Sequence, residues 1–258
     1  MKVSILGSGS SGNSIFLEIS NHKILIDAGF SCKKLEEKLY GIGESLENIK
    51  SILITHEHID HIMGAGIISR KYDIPIYISQ ESYELGREKL GKIEEKNIIF
   101  IEKDFYLGDS VRVYPFEVMH DAVKTLGFRI VGKNSKSIAI STDIGHVDNV
   151  VREHFKNVDI IIIECNYDYQ MLMDCSYPWD LKHRVKSRNG HLSNDDAGKL
   201  ICDVYSSKLK KVYLAHVSKD SNHYEIALRT VKSQLLSCNI DIELEIAYQD
   251  KWTNLFEI

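Results

Sequence analysis

Cysteine is scarce and scattered: Cys32, Cys165, Cys175, Cys202 and Cys238 each stand alone in a chain of 258 residues. No two form a C-x-x-C pair and their number is odd, which argues against a disulfide framework; each reads as a small buried hydrophobe. Proline occurs only three times and no low-complexity linker interrupts the chain, so a single domain spanning 1–258 is expected. No apolar run approaches the ~18 residues of a membrane span. The opening Met1-Lys2-Val3-Ser4-Ile5-Leu6-Gly7 has no basic stretch ahead of an apolar one, so no signal peptide is expected and the chain reads as cytoplasmic, with no membrane partner. Positive charge is not in excess either. The formal net charge is -5, so any nucleic-acid role needs a local basic patch rather than a global field.

What is present is an alternation of strands and helices. Apolar runs at Val3–Leu6, Ile15–Ile19 and Ile24–Ile26 are punctuated by turn residues and end at Asp27-Ala28-Gly29, as in a meander. A helical pattern covers Cys32–Tyr40, and a strand at Ser51–Thr55 delivers the chain to His56. Further strands are expected at Ile76–Ser79, Ile98–Ile101, Val111–Val118, Leu126–Val131, Ser137–Ser141, Asp159–Ile163, Val212–Ala215 and Ile242–Ile246. Helices are expected at Ile62–Tyr72, Glu81–Leu90, Val147–Phe155, Asp195–Tyr205 and His223–Leu236. The pattern is that of a layered α/β protein.

Chemistry concentrates in Thr55-His56-Glu57-His58-Ile59-Asp60-His61, which carries three of the eleven histidines. A loop at a strand end aims alternate side chains in different directions. His56 and His58 can then face one metal while Asp60 and His61 face a second. Imidazole and carboxylate suit Zn²⁺, Mn²⁺ or Fe. A surface loop that merely happens to be His-rich is the bland alternative, disfavoured by ligand type, spacing and strand-end position together. Four residues do not complete two coordination shells. Other strand ends supply His120, Asp143 and His216, each of which alone would read as a structural or capping residue.

With those residues in order along the chain, the sequence resembles the metallo-β-lactamase superfamily. The resemblance implies a four-layer αββα sandwich with two divalent cations at one edge. It implies one metal held by His56, His58 and His120 and another by Asp60, His61 and His216, with Asp143 shared and Asp27 orienting without binding. A secreted β-lactamase would carry a signal peptide, and flavo-di-iron proteins have Glu where this chain has His58. Glyoxalase II shares the ligands, so a thioester or other carbonyl-centred hydrolase is the alternative.

The feature that separates these readings is Gly190-His191-Leu192-Ser193-Asn194. A histidine upstream of the last ligand resembles the phosphodiesterase branch that includes RNase Z and RNase J, where it contacts the scissile phosphate. The Gly-Ser-rich loop 7–13 and the segments 119–122, 141–145, 164–168 and 190–194 are similar to the WalJ (YycJ) group of bacterial exonucleases, which act on DNA. The large domain that RNase J carries between its shared Asp and that His has no room here between Asp143 and His191.

The resemblance therefore implies a dinuclear phosphodiesterase acting on DNA rather than RNA. Two cations would lower the pKa of water toward ~7. Asp60, His191 and Asp27 would be the catalytic residues, with His191 donating a hydrogen bond or proton, a role worth ~10²–10⁴-fold. Ser193 and Asn194 would help bind substrate, unless they simply cap the helix near Asp195. The basic run Lys182-His183-Arg184-Val185-Lys186-Ser187-Arg188 leads into His191. Arg184 and Lys186 are expected to contact phosphates, although such a run is usually a solvated face. Trp179 and Tyr177 could stack on bases, with packing under a helix the expected use of Trp179.

Overall fold

The structure is a computed structural model that describes residues 1–258. Strands β1 (Lys2–Gly7), β2 (Ser14–Ile19) and β3 (His22–Ile26) form an antiparallel meander. Helix α1 (Cys32–Gly41) leads to β4 (Ser51–Leu53), then α2 (Ile59–Ile62) and α3 (Ala65–Tyr72). After them come β5 (Ile76–Ile78), α4 (Gln80–Leu90) and β6 (Ile98–Phe100). A second meander follows in β7 (Phe105–Leu107), β8 (Val111–Val118), β9 (Thr125–Gly132) and β10 (Ser137–Ser141). Next are α5 (Asn149–Phe155), β11 (Ile160–Glu164), α6 (Tyr169–Asp174), α7 (Trp179–Val185) and α8 (Asn194–Val204). The chain closes with β12 (Lys211–Ala215), α9 (Tyr224–Ser237), β13 (Glu243–Ile246) and β14 (Phe256–Glu257).

Two seven-stranded sheets result, ordered β14-β1-β2-β3-β4-β5-β6 and β13-β12-β11-β10-β9-β8-β7. They follow one plan. In each, three antiparallel pairings are followed by three parallel ones, and the change occurs at β3 in the first sheet and β10 in the second.

Strand periodicity distributes the side chains. In β2, Ile15, Leu17 and Ile19 face the space between the sheets, where they meet Phe128, Ile130 and Ile162 of the second sheet. Phe16 faces outward, under Leu35 and Leu39 of α1 and Ile68 of α3. The Ile160–Ile163 run of β11 serves both faces, its even-numbered members inward and its odd-numbered members under α5, α8 and α9. Parallel strands covered on both faces need that continuous apolar content. The layers are helix, sheet, sheet, helix: an αββα sandwich.

The helix expected at Ile62–Tyr72 is instead two, with a break at Met63-Gly64. Gly64 donates its N–H to the Ala28 carbonyl at 2.8 Å. A Cβ there would run into the Phe30 carbonyl, so a distant loop, not local propensity, sets the break. The short edge strands β7 and β14 fall outside the expected set, as do α6 and α7 as discrete helices. Trp179 does not pack under a helix: it is 61% exposed.

Candidate metal centre

The site lies along one edge of the sandwich, where parallel strands of both sheets end. Asp27 follows β3, Asp143 follows β10 and His216 follows β12, and all three adopt left-handed backbone angles (φ 59°, 55° and 53°). Non-glycine residues reach that region at a cost and cluster at functional sites.

Thr55, just past β4, organises the first sheet's contribution. Its N–H and hydroxyl donate to the two oxygens of Asp27 at 2.8 and 2.9 Å, and its Oγ1 lies 3.0 Å from His56 Nδ1 and 3.1 Å from His61 Nδ1. Asp27 Oδ2 sits 2.7 Å from His61 Nδ1. The other ring nitrogen of His61 is thereby turned inward, 3.2 Å from Asp143 and 3.6 Å from Asp60. His56 Nε2 and His58 Nδ1 converge to 3.0 Å. His120 bonds the Gly190 carbonyl through Nδ1 at 3.0 Å, leaving Nε2 between Asp121, 3.1 Å away, and Asp143, 3.7 Å away.

The residues gather into three overlapping sets of candidate ligand atoms: His56, His58 and His120; His56, His61 and Asp143; and Asp143, Glu164, His191 and His216. His216 thus stands with Glu164 and His191 around Asp143, while Asp60 approaches only through His61. Asp143 Oδ2 is buried with no hydrogen-bond partner of proper geometry. An orphaned buried carboxylate oxygen facing imidazoles fits a bound cation, and nitrogen-plus-carboxylate donor sets suit divalent metals.

Sequence reasoning assigned no role to three residues here. Glu164, at the end of β11 and fully buried, accepts from His191 Nδ1 (2.9 Å) and His216 Nδ1 (2.7 Å) on one oxygen. Its other oxygen accepts the N–H groups of Ile144 and Leu192. Asn13 places its amide 3.0 Å from His61 Nε2 and 3.3 Å from Asp60. Thr55 is the third. The signal available for Glu164 was a carboxylate at a strand end, the criterion that had found Asp143.

The electrostatics follow the contacts. Burial pushes the His56 imidazole well below its ordinary pKa, helped by the neighbouring His61. Burial also works against charge on His61, but Asp27 and Asp143 overcome it and hold His61 well above the ordinary range. For His191, burial is again outweighed, mainly by Glu164, and the pKa rises to about 9. Glu164 itself is drawn down to about 2 against its burial by the same pair.

A cavity of about 330 Å³ opens beside this cluster, lined by His191, His216, Arg184 and Lys219 together with the carboxylates Asp121 and Asp220. Arg184 reaches it on the flank of α7 and pairs with Asp121. Lys182 is turned inward, its ammonium donating to the Met173 carbonyl, so it is not part of an exposed basic face. Ser193 caps α8 by accepting from Asp196 N–H at 3.0 Å. Asn194 is fully buried and bonded to Asn222 and Cys165. Both spend their polar groups on the fold.

Residues 22–217 match the β-lactamase superfamily domain. The chain is 38% identical over 253 residues to the exodeoxyribonuclease WalJ of Streptococcus pneumoniae serotype 2 (strain D39), covering 96% of this chain and 93% of that one. It is 36% identical over 234 residues to the exodeoxyribonuclease YycJ of Bacillus anthracis, with 90% and 88% covered. Among solved structures, the metallo-β-lactamase fold protein YhfI of Bacillus subtilis superposes with a TM-score of 0.72 at 18% identity, covering 98% of both chains. With its sandwich, its edge of histidines and carboxylates and a match of this extent, the chain belongs to the β-lactamase superfamily and, within it, to the WalJ/YycJ type.

Proposed function

We propose that this protein is a metal-dependent exonuclease that hydrolyses phosphodiester bonds of DNA. The observation that carries the reading is the junction of a His/Asp donor cluster with a cavity that presents a protonatable histidine, His191, and a guanidinium, Arg184. A carbonyl-centred hydrolase would keep the metals but not need His191 or the basic run. Two relatives that match along most of their length bear exodeoxyribonuclease names.

Two divalent cations, Zn²⁺ or Mn²⁺ before Fe, would be held by His56, His58 and His120 and by Asp60, His61 and His216, with Asp143 common to both. When bound they supply Lewis acidity that ionises water near neutral pH and offsets phosphate charge. The protein's own groups do the rest. Asp27 and Thr55 fix the His61 ring. Glu164 takes the Nδ1 sides of His191 and His216, which leaves His191 Nε2 to face the cavity, where a protonated ring donates to the developing oxyanion or leaving group. Arg184, oriented by its pair with Asp121, offers a guanidinium that a phosphate in the cavity can engage.

End-labelled DNA and RNA, incubated with Mn²⁺, Zn²⁺ or Mg²⁺ supplied separately, test this directly. Stepwise loss of terminal nucleotides from DNA in at least one metal is expected, with a thioester turned over far more slowly. Rapid thioester hydrolysis with intact DNA would replace the reading by the carbonyl-hydrolase alternative.

A further inference from the structure

The α6–α7 segment carries two large aromatic rings that the fold leaves in water. Trp179 is 61% exposed and Tyr169 54% exposed. The segment is not loose. Leu172 of α6 and Val185 of α7 bury against Tyr167, with Leu181 beside them. At helical spacing, Trp179, His183 and Lys186 (i, i+4, i+7) occupy the face opposite Leu181 and Val185. The Lys186 ammonium lies 5.9 Å from the ring centroids of both Tyr169 and Trp179, and the His183 ring packs edge-on to Trp179 at 5.0 Å. Two rings straddling one cation make an array, unlike the singly scattered apolar residues common on surfaces.

The position of the array is as telling as its composition. Arg184, on the flank of the same helix, lines the cavity that holds His191. Leu181 and Val185, on the face of α7 opposite the array, line the same cavity, so array and cavity lie on opposite sides of one helix. Between 183 and 188 the chain presents His183, Arg184, Lys186 and Arg188, while Asp180 is the one acid in α7. Alternating cations and exposed ring faces match a polymer that alternates phosphates with bases. Every base has a π-face, but only an unpaired strand can offer it to a protein ring.

We infer that the outer face of α7, together with Tyr169, is a stacking platform for the single-stranded part of a polynucleotide whose end occupies the cavity. Lys186 engages a phosphate between two bases seated on Tyr169 and Trp179. The inference rests on the nucleic-acid reading above and adds to it a strand preference and the residues that set it.

The test uses the whole protein and a nuclease-resistant phosphorothioate oligothymidylate of twelve residues, so that binding is read apart from cleavage. One stacked base is worth ~1–3 kcal/mol, or roughly 5- to 150-fold in affinity. Trp179→Ala should weaken binding by a factor in that range, and Tyr169→Ala with Trp179→Ala by more. Trp179→Phe should bind within a few-fold of the parent. The chain has only two tryptophans, so oligothymidylate should quench the emission of the parent and lose most of that effect in Trp179→Phe. Hydrolysis of bis(p-nitrophenyl) phosphate should be unchanged in all variants, since that ester is too small to reach the outer face of α7. Affinity unchanged within twofold in the double variant, or equal affinity of the parent for a blunt duplex and the single strand, would overturn the platform. If the parent digests DNA in either case, the exonuclease reading stands. If the parent binds the single strand through these rings but digests no DNA, the exonuclease reading falls and the platform survives.

Discussion

Glu164 is the residue on which the second sheet's half of the site turns, and it is the one whose removal is most informative. Its charge holds His191 up at about 9 while its own carboxyl is held near 2. A histidine with a raised pKa stabilises the metal-free fold below its unfolded value of 6.5, and that contribution disappears as pH climbs through about 9. Glu164→Gln keeps the shape and discards the charge. The His191 titration, followed by NMR in the metal-free protein, should then fall toward 6.5, and the loss of stability between pH 6.5 and 9 should shrink. Turnover with metal supplied should drop roughly 10²-fold, within the range for a misaligned proton donor. A titration that stays near 9 would remove Glu164 from this role. The candidate ligand residues stood out because imidazoles in a six-residue cluster have few uses other than metal binding. Glu164 was not, because one carboxylate after an isoleucine run reads equally as the first solvated residue past a strand. Only its burial and its two histidine partners set it apart.

Among the elements, legibility followed the source of each element's stability. The β11 strand announces itself in Ile160–Ile163, since four consecutive isoleucines satisfy both faces of a buried parallel strand. Strands β7 and β14 are three and two residues long and exist because a neighbour offers backbone partners, which no local pattern records. The same holds for the split between α2 and α3. Gly64 breaks the helix because Ala28 and Phe30 approach it from the end of the first meander. The four-residue α2 carries Asp60 and His61, so that contact also fixes part of the site. Gly64→Ala should cost about 1–3 kcal/mol from overpacking and, unlike an ordinary core lesion, should lower metal stoichiometry as well. Asp148→Ala removes the N-cap of α5 and serves as the contrast, costing ~1 kcal/mol with metal content intact. Denaturant titration and metal analysis on the two variants separate the effects. Equal metal content in both would detach the break from the site.

Across the whole molecule, each sheet carries part of the proposed ligand set: His56, His58, Asp60 and His61 from the first, His120, Asp143 and His216 from the second. Cations bound by that set would tie the two sheets together. A ligand present at a hundredfold over its dissociation constant adds ~2.7 kcal/mol to the folded state. For a chain of this size, chelation should lower the melting temperature by roughly 5–10 °C, restored by adding metal back. An unchanged melting temperature would mean that the sheets are held without it. The same division makes the site a caliper whose jaws belong to different sheets, with the interior between them setting the gap. Its reading is altered by anything that changes how the sheets are spaced, however far from the jaws. Ile130 is fully buried in that interior, on a strand that contributes no candidate ligand. Ile130→Val, a loss of one methylene costing about 0.5–1.5 kcal/mol, should weaken metal binding measurably by calorimetry although it touches no ligand. Metal affinity in this protein is then a gauge of sheet spacing, and substitutions that drift through the sandwich interior are felt first as a change in how tightly the jaws close.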